Sequence, residues 1–540
     1  MPTIRQDGHG HIAVQIAGDH NDVTVSCGQP VLRLLAKHTR KRPPRTELDI
    51  LRAEIRPLAL LGRDSELASL QAWLDDPRPV LVRGLTGPAG SGKTRLGIEL
   101  SERAAPQDWA TGFLDGDDLA AFVAAERTAR WQPQTRLLVV IDYAARRART
   151  LNAWLHGLAR RPESERPRLR LLLLERHGSA SEGWWSELRR LEGSDDALLD
   201  LLDPLEPVPL APLTGLELRR TLLAGSMTES HELCGLAPPT PGVEQLDHIL
   251  QELPVTAEPL FLILTGLLAA RTGVDATPTR GQLALELACW ERDRLRTLAR
   301  GRGVPERMLL HLVACVTLQR GLPRKQRRAL IERESEALSW RDVAAYEPLA
   351  EVLTDALPPA EDGTTLRGLE PDLIGEAFCL LILSTDHELD ACALIDRCRE
   401  RALVGTAQQL ILTVQDFARP TTELVHASVQ PSRRPEAALL SVWLGAANPA
   451  LAWLDQLVAG TDDPDWLMSI ADQIPHYTLL LREHAASICQ RIAGRLLLIV
   501  TGLSNDNSRY HLANTLNNLA FRLSESWPAR AGPRSVAGRR

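Results

Sequence analysis

The chain has 540 residues, 44% hydrophobic and 24% charged, with a formal net charge of −7. That length exceeds what one core supports, so three to five domains of about 100–200 residues are expected, and the acidic balance excludes a surface built generally to coat nucleic acid. The eight cysteines are scattered with no C-x-x-C pair, which reads as reduced, mostly buried thiols rather than a zinc site.

No basic start followed by an apolar core marks a signal peptide, and the longest apolar runs, such as FLILTGLLAA at 261–270, fall short of the roughly 20 residues a bilayer requires. A cytoplasmic protein without a membrane partner is expected. Residues 1–45 read as a short hairpin and a basic linker. HIAVQIAGDHNDVTV (11–25) alternates apolar and polar positions about Gly18-Asp19-His20-Asn21. His9, His11 and His20 read as solvated. KHTRKRPPR (37–45) reads as a Pro-broken hinge.

Residues 46–215 alternate amphipathic stretches with short apolar runs. PVLVRGL (79–85), TGFLDGDD (111–118), RLLVVID (136–142), RLRLLLLER (168–176) and a weaker PVPLAPL (207–213) predict strands of a parallel sheet with helices on both faces, an α/β class. Mostly helical domains follow: a lid over 216–285, a module over 286–400 with a short strand near 364–372, and a helical region over 401–526. In the last of these, Leu512, Leu516, Leu519 and Leu523 share one helical face. Residues 527–540, rich in Arg and Gly and without acids, predict disorder. The abrupt change after Ser526 suggests a repeat array cut short, because helical repeats normally stack in threes or more.

Between the strand at 79–85 and a helical pattern stands Gly87-Pro88-Ala89-Gly90-Ser91-Gly92-Lys93-Thr94, a complete G-x-x-x-x-G-K-T phosphate loop. Its glycines let backbone N–H groups turn inward on phosphate oxygens, and the helix N-terminus adds partial positive charge. Lys93 is placed for the β- and γ-phosphates, and Thr94 for Mg²⁺. Asp142 ends the run Leu138–Ile141 and supplies the second metal carboxylate. Tyr143, Ala144 and Ala145 follow it, and the next acid along the chain is Glu163. That pattern predicts a site that binds ATP or ADP with Mg²⁺ and turns over slowly.

These motifs, in this order, resemble the STAND class of signal-transduction NTPases, relatives of NB-ARC and NACHT proteins. LLGRDSEL (60–67) resembles the start of such domains, which implies Gly62 and Arg63 near the adenine. LLLLERHG (171–178) resembles a strand ending in a γ-phosphate sensor, matched by Arg176. AEPLFLILTG (257–266) resembles the G-x-P motif, with Pro259 in place and Ala257 where glycine is preferred. The helices from 286 resemble a winged helix, without a Met-His-Asp sensor. The 510–526 segment resembles a tetratricopeptide helix. Other readings stay open: Arg63 pairing with Glu66, Arg176 capping a strand end, Pro259 starting a helix, and Trp184–Trp185 covering the sheet instead of stacking on a base. The resemblance implies a nucleotide-switched signalling ATPase in defence or stress. It further implies a protein or peptide ligand on the C-terminal helices and a homo-oligomer in the ATP state. Duplex DNA binding through the winged helix and RKQRR (324–328), or a scaffold with structural nucleotide, are the alternatives.

Overall fold

The computed structural model describes residues 30, 32–35, 44, 46–55, 58–114, 116–126, 131–133, 135–176, 178, 183–190, 196–237, 241–252, 258–272, 280–340, 346–357, 364–386, 389–417, 449–461, 463–474, 491 and 494. The expected hairpin at 11–25, the repeat-like helix at 510–526 and the tail lie outside them. The chain divides into two compact units.

The first unit is built on a sheet of β1 (Val80–Thr86), β2 (Trp109–Phe113), β3 (Arg136–Asp142), β4 (Leu169–Glu175) and β5 (Val208–Pro209), in the order β2-β3-β4-β1-β5. All neighbouring pairs are parallel. The strands are apolar on both faces because both faces are covered: Leu138–Val140 and Leu171–Leu174 are fully buried. One face packs on Leu96 and Leu100 of α3 (Lys93–Ala104) and on Leu70 and Leu74 of α2 (Asp64–Asp75). The other meets Leu151, Trp154 and Leu155 of α5 (Ala148–Ala159). The strand expected over 111–118 is displaced. It begins at Trp109 and ends at Phe113, and Gly116 opens the helix α4 (Gly116–Glu126). Leu35 adds an antiparallel bridge to Phe113.

Trp184 and Trp185 belong to the core. Their rings meet edge to face at 5.2 Å, Trp185 is fully buried, and its indole N–H donates to the Leu205 carbonyl at 2.8 Å. A Cβ on Gly84 of β1 would lie 2.6 Å from the Trp185 ring, so glycine is what lets the indole lie on the strand. Beyond β5, helices α7 (Leu216–Leu233), α8 (Val243–Glu252) and α9 (Pro259–Thr272) share a core that includes Leu223, Met227, Ile249 and Leu262.

The second unit is helical. α11 (Glu306–Leu318) is buried from Met308 to Leu318. Around it lie α12 (Arg327–Ala337), α13 (Tyr346–Ala356), α15 (Ala391–Arg401), α16 (Leu403–Phe417) and the helices Pro449–Gly460 and Pro464–Gln473. A fully buried carboxylate, Glu334, is held here by the His311 ring at 2.8 Å, Arg397 at 2.8 Å and Arg401 at 2.6 Å. His311, Cys315 and Glu334 bring ligand atoms within 4.8 Å of one another, but the two guanidinium groups already neutralise the carboxylate and occupy its oxygens. Among the described residues no helix is long and apolar enough to cross a membrane.

Candidate nucleotide site

The loop Gly87–Gly92 joins the C-terminal end of β1 to the N-terminus of α3. Gly90 (φ 84°) and Gly92 (φ 94°) take left-handed backbone that L side chains rarely adopt, and this is what turns the loop. The Lys93 ammonium donates to the carbonyls of Gly87 at 2.5 Å and Pro88 at 3.0 Å. Burial pushes it below its ordinary pKa, while Asp142 and Glu175 draw it back up. Thr94 Oγ1 donates to Asp142 Oδ2 at 2.9 Å, so a hydroxyl and a carboxylate 48 residues apart converge at the head of α3. A hydroxyl beside a carboxylate, both oxygen donors, is a set suited to Mg²⁺.

Arg63 is buried. Its guanidinium donates to Glu66 at 2.8 Å, to the Ala211 carbonyl at 2.6 Å and to the Ser91 carbonyl at 3.2 Å. It therefore makes the pairing with Glu66 and also braces the phosphate loop. Gly62 has φ 65°, and a Cβ there would meet Leu218 at 2.8 Å, so its backbone admits only glycine without strain. Pro259 opens α9, and the next residue, Leu260, donates its N–H to the Gly90 carbonyl at 3.1 Å. The first turn of α9 is thus tied to Gly90 through Leu260, and Pro259 starts that helix. Arg176 follows β4, and Lys93 feels its charge.

Sequence reasoning missed three groups here. Glu175 ends β4; its Oε2 accepts from the Ala145 N–H at 3.0 Å and its Oε1 from the Arg176 N–H at 2.7 Å. Arg280, at the start of α10 (Arg280–Arg302), donates to the Ala89 carbonyl of the loop at 3.0 Å and pairs with Glu258 at 2.8 Å. Glu258 is pushed up by burial, against the pull of Arg280 and Lys93. Glu175 lies on the strand beside β3, 33 residues from Asp142 in sequence, so no local pattern around Asp142 points to it. Arg280 and Glu258 had no signal except proximity to the Pro259 motif.

A parallel sheet in this order, with the loop after β1 and the carboxylate at the end of β3, decides the fold. It is a P-loop NTPase fold. No family model matches the sequence, and no curated protein is significantly similar. Among solved structures, a DNA replication initiation factor aligns at 15% identity over 74% of this chain and 96% of its own, with TM-score 0.28. A replication initiator DnaA bound to AMPPCP and single-stranded DNA aligns at 15% over 54% and 88%, with TM-score 0.26. NtrX from Brucella abortus in complex with ADP aligns at 14% over 54% and 69%, with TM-score 0.26.

Proposed function

We propose that this chain binds ATP and ADP with Mg²⁺ and works as a nucleotide-switched ATPase. The observation that carries the reading is the convergence of Thr94 and Asp142 at 2.9 Å beside the buried Lys93 of a complete phosphate loop. In this reading the loop N–H groups and Lys93 hold the phosphates, and Thr94 and Asp142 would hold the metal, which supplies charge neutralisation at the β- and γ-phosphates. Gly62, Arg63 and Pro259 border the base, and Arg176 reports the γ-phosphate. The first turn of α9, lying on Gly90, gives the lid a direct hold on the loop that a bound phosphate would alter. Such a switch requires nucleotide to bind two conformations unequally.

The finer reading follows the STAND resemblance: a ligand on the C-terminal helices, assembly in the ATP state, and a role in defence or stress signalling. The DNA-binding alternative draws less support, because Arg327 donates to the Ala350 carbonyl at 3.2 Å and Arg328 pairs with Glu332 at 2.8 Å. Two arginines of that basic run are thus engaged within the protein. The test is titration of the full chain with a fluorescent ATP analogue and Mg²⁺. Lys93→Ala should weaken binding at least about tenfold, the loss of roughly 1.4 kcal/mol. Wild-type affinity in that variant would sink the reading.

A further inference from the structure

Asp142 has no acid close behind it in sequence, but the neighbouring strand has one at the same edge. β3 and β4 are parallel with Asp142 opposite Leu174, which sets Glu175 one residue further along at the C-terminal edge of the sheet. On its other side Glu175 is in register with Thr86, the residue before Gly87. The Gly87 N–H donates to the Glu175 carbonyl at 3.2 Å. Its backbone therefore abuts the phosphate loop, and its side chain reaches across to Ala145, three residues after the metal carboxylate. The half-buried carboxylate accepts one backbone N–H on each oxygen, from Ala145 and from Arg176. A carboxylate has about four lone-pair sites, so each oxygen keeps capacity for a further donor.

Resting on the proposal that this site hydrolyses ATP, we infer that Glu175 is the acid that orients and deprotonates the attacking water. The water oxygen bonds to the γ-phosphorus as the bond to the β,γ-bridging oxygen breaks, and that electron pair leaves on ADP. One water proton passes to the Glu175 carboxylate, and the products are ADP and inorganic phosphate. Tyr143, which follows Asp142 directly, is turned away by a left-handed backbone (φ 55°) and spends its hydroxyl on Asp372. The position an acid would take in sequence is therefore filled from β4 in space.

The experiment is single-turnover cleavage of γ-labelled ATP by excess full-length protein with Mg²⁺, alongside ATP affinity measured separately with a fluorescent analogue. Glu175→Gln should slow cleavage by about 10²–10⁴-fold, the range for general-base help, with affinity changed by less than about threefold. A variant cleaving at the wild-type rate overturns the inference. Rate and affinity falling together also overturns it, because that is the signature of a residue that only shapes the loop. So does a wild-type protein that binds ATP and releases no phosphate. If Glu175→Gln is not recovered folded, Glu175→Asp decides: it keeps the charge one methylene short and should cleave at an intermediate rate, and wild-type speed would overturn the assignment. Failure of the wild type to bind ATP at all is a distinct result, which removes the proposed function itself.

Discussion

Tyr143 holds a φ of 55°, which a bulky side chain adopts only where its surroundings impose it. The surroundings are specific: its N–H donates to Asp142 Oδ1 at 3.0 Å and its hydroxyl donates to Asp372 Oδ2 at 2.7 Å. One residue thus links Asp142 to the start of α14 (Asp372–Thr385), 229 positions away in sequence. Tyr143→Phe keeps the ring and deletes the link. Urea denaturation should show about 1.5–3 kcal/mol lost, the usual worth of a hydrogen bond to a charged group, and the variant should bind ATP and ADP in a changed ratio. An unchanged ratio would mean that this contact carries no nucleotide information. Asp142→Asn belongs beside it: affinity should survive in part while its Mg²⁺ dependence disappears, as seen by titrating the analogue with and without EDTA. Another group holds the metal if the dependence persists.

Among the strands, β4 shows how much and how little a pattern can say. Its run of leucines announced a strand covered on both faces, and it is one. Arg170, the one charged residue inside that run, is fully buried with the leucines. Its guanidinium donates to the carbonyls of Trp73 at 2.9 Å, Asp76 at 2.5 Å and Arg78 at 3.1 Å. The rings of Trp73 and Trp109 lie 6.0 and 5.6 Å from it. Burial lowers its pKa to about 10, so it stays charged at neutral pH. Periodicity reports which positions are apolar. It does not report that the carbonyls at the end of α2 and in the turn into β1 gather guanidinium donors, from Arg170 and also from Arg168, which reaches the Pro77 and Arg78 carbonyls at 2.6 and 2.7 Å. Arg170→Met should therefore cost about 1–3 kcal/mol, the range for a buried carbonyl left without its donor, despite the better apolar match. A loss under about 1 kcal/mol by urea denaturation would show that the carbonyls find other donors.

Over the whole chain, legibility followed sequence distance. The phosphate loop, Asp142 and the five strands are local patterns and were readable. Glu175, Arg280 and the cluster of His311, Glu334, Arg397 and Arg401 draw their meaning from neighbours tens of residues away and were not. Two compact units with separate charged centres lead to a prediction about the intact protein: two unfolding transitions that answer to different variables. Nucleotide binding stabilises by mass action, about 2.7 kcal/mol at a ligand concentration of 100 times Kd, so Mg-ATP should raise the transition of the unit that holds the phosphate loop. The other unit should answer to acid. Burial pushes Glu334 up, but the hydrogen bonds from His311, Arg397 and Arg401 outweigh it and hold the carboxylate well below its ordinary value of 4.5. A carboxylate depressed on folding stabilises fully above its unfolded pKa, and that contribution is lost as the pH falls below about 4.5. Scanning calorimetry at pH 7 and pH 4, each with and without Mg-ATP, reads both effects. Glu334→Gln should lower the acid-sensitive transition at pH 7 and flatten its pH dependence, while leaving the nucleotide shift of the other transition intact. If the variant keeps the wild-type pH dependence, the acid response comes from other carboxylates and the Glu334 cluster is not what ties that unit's stability to pH.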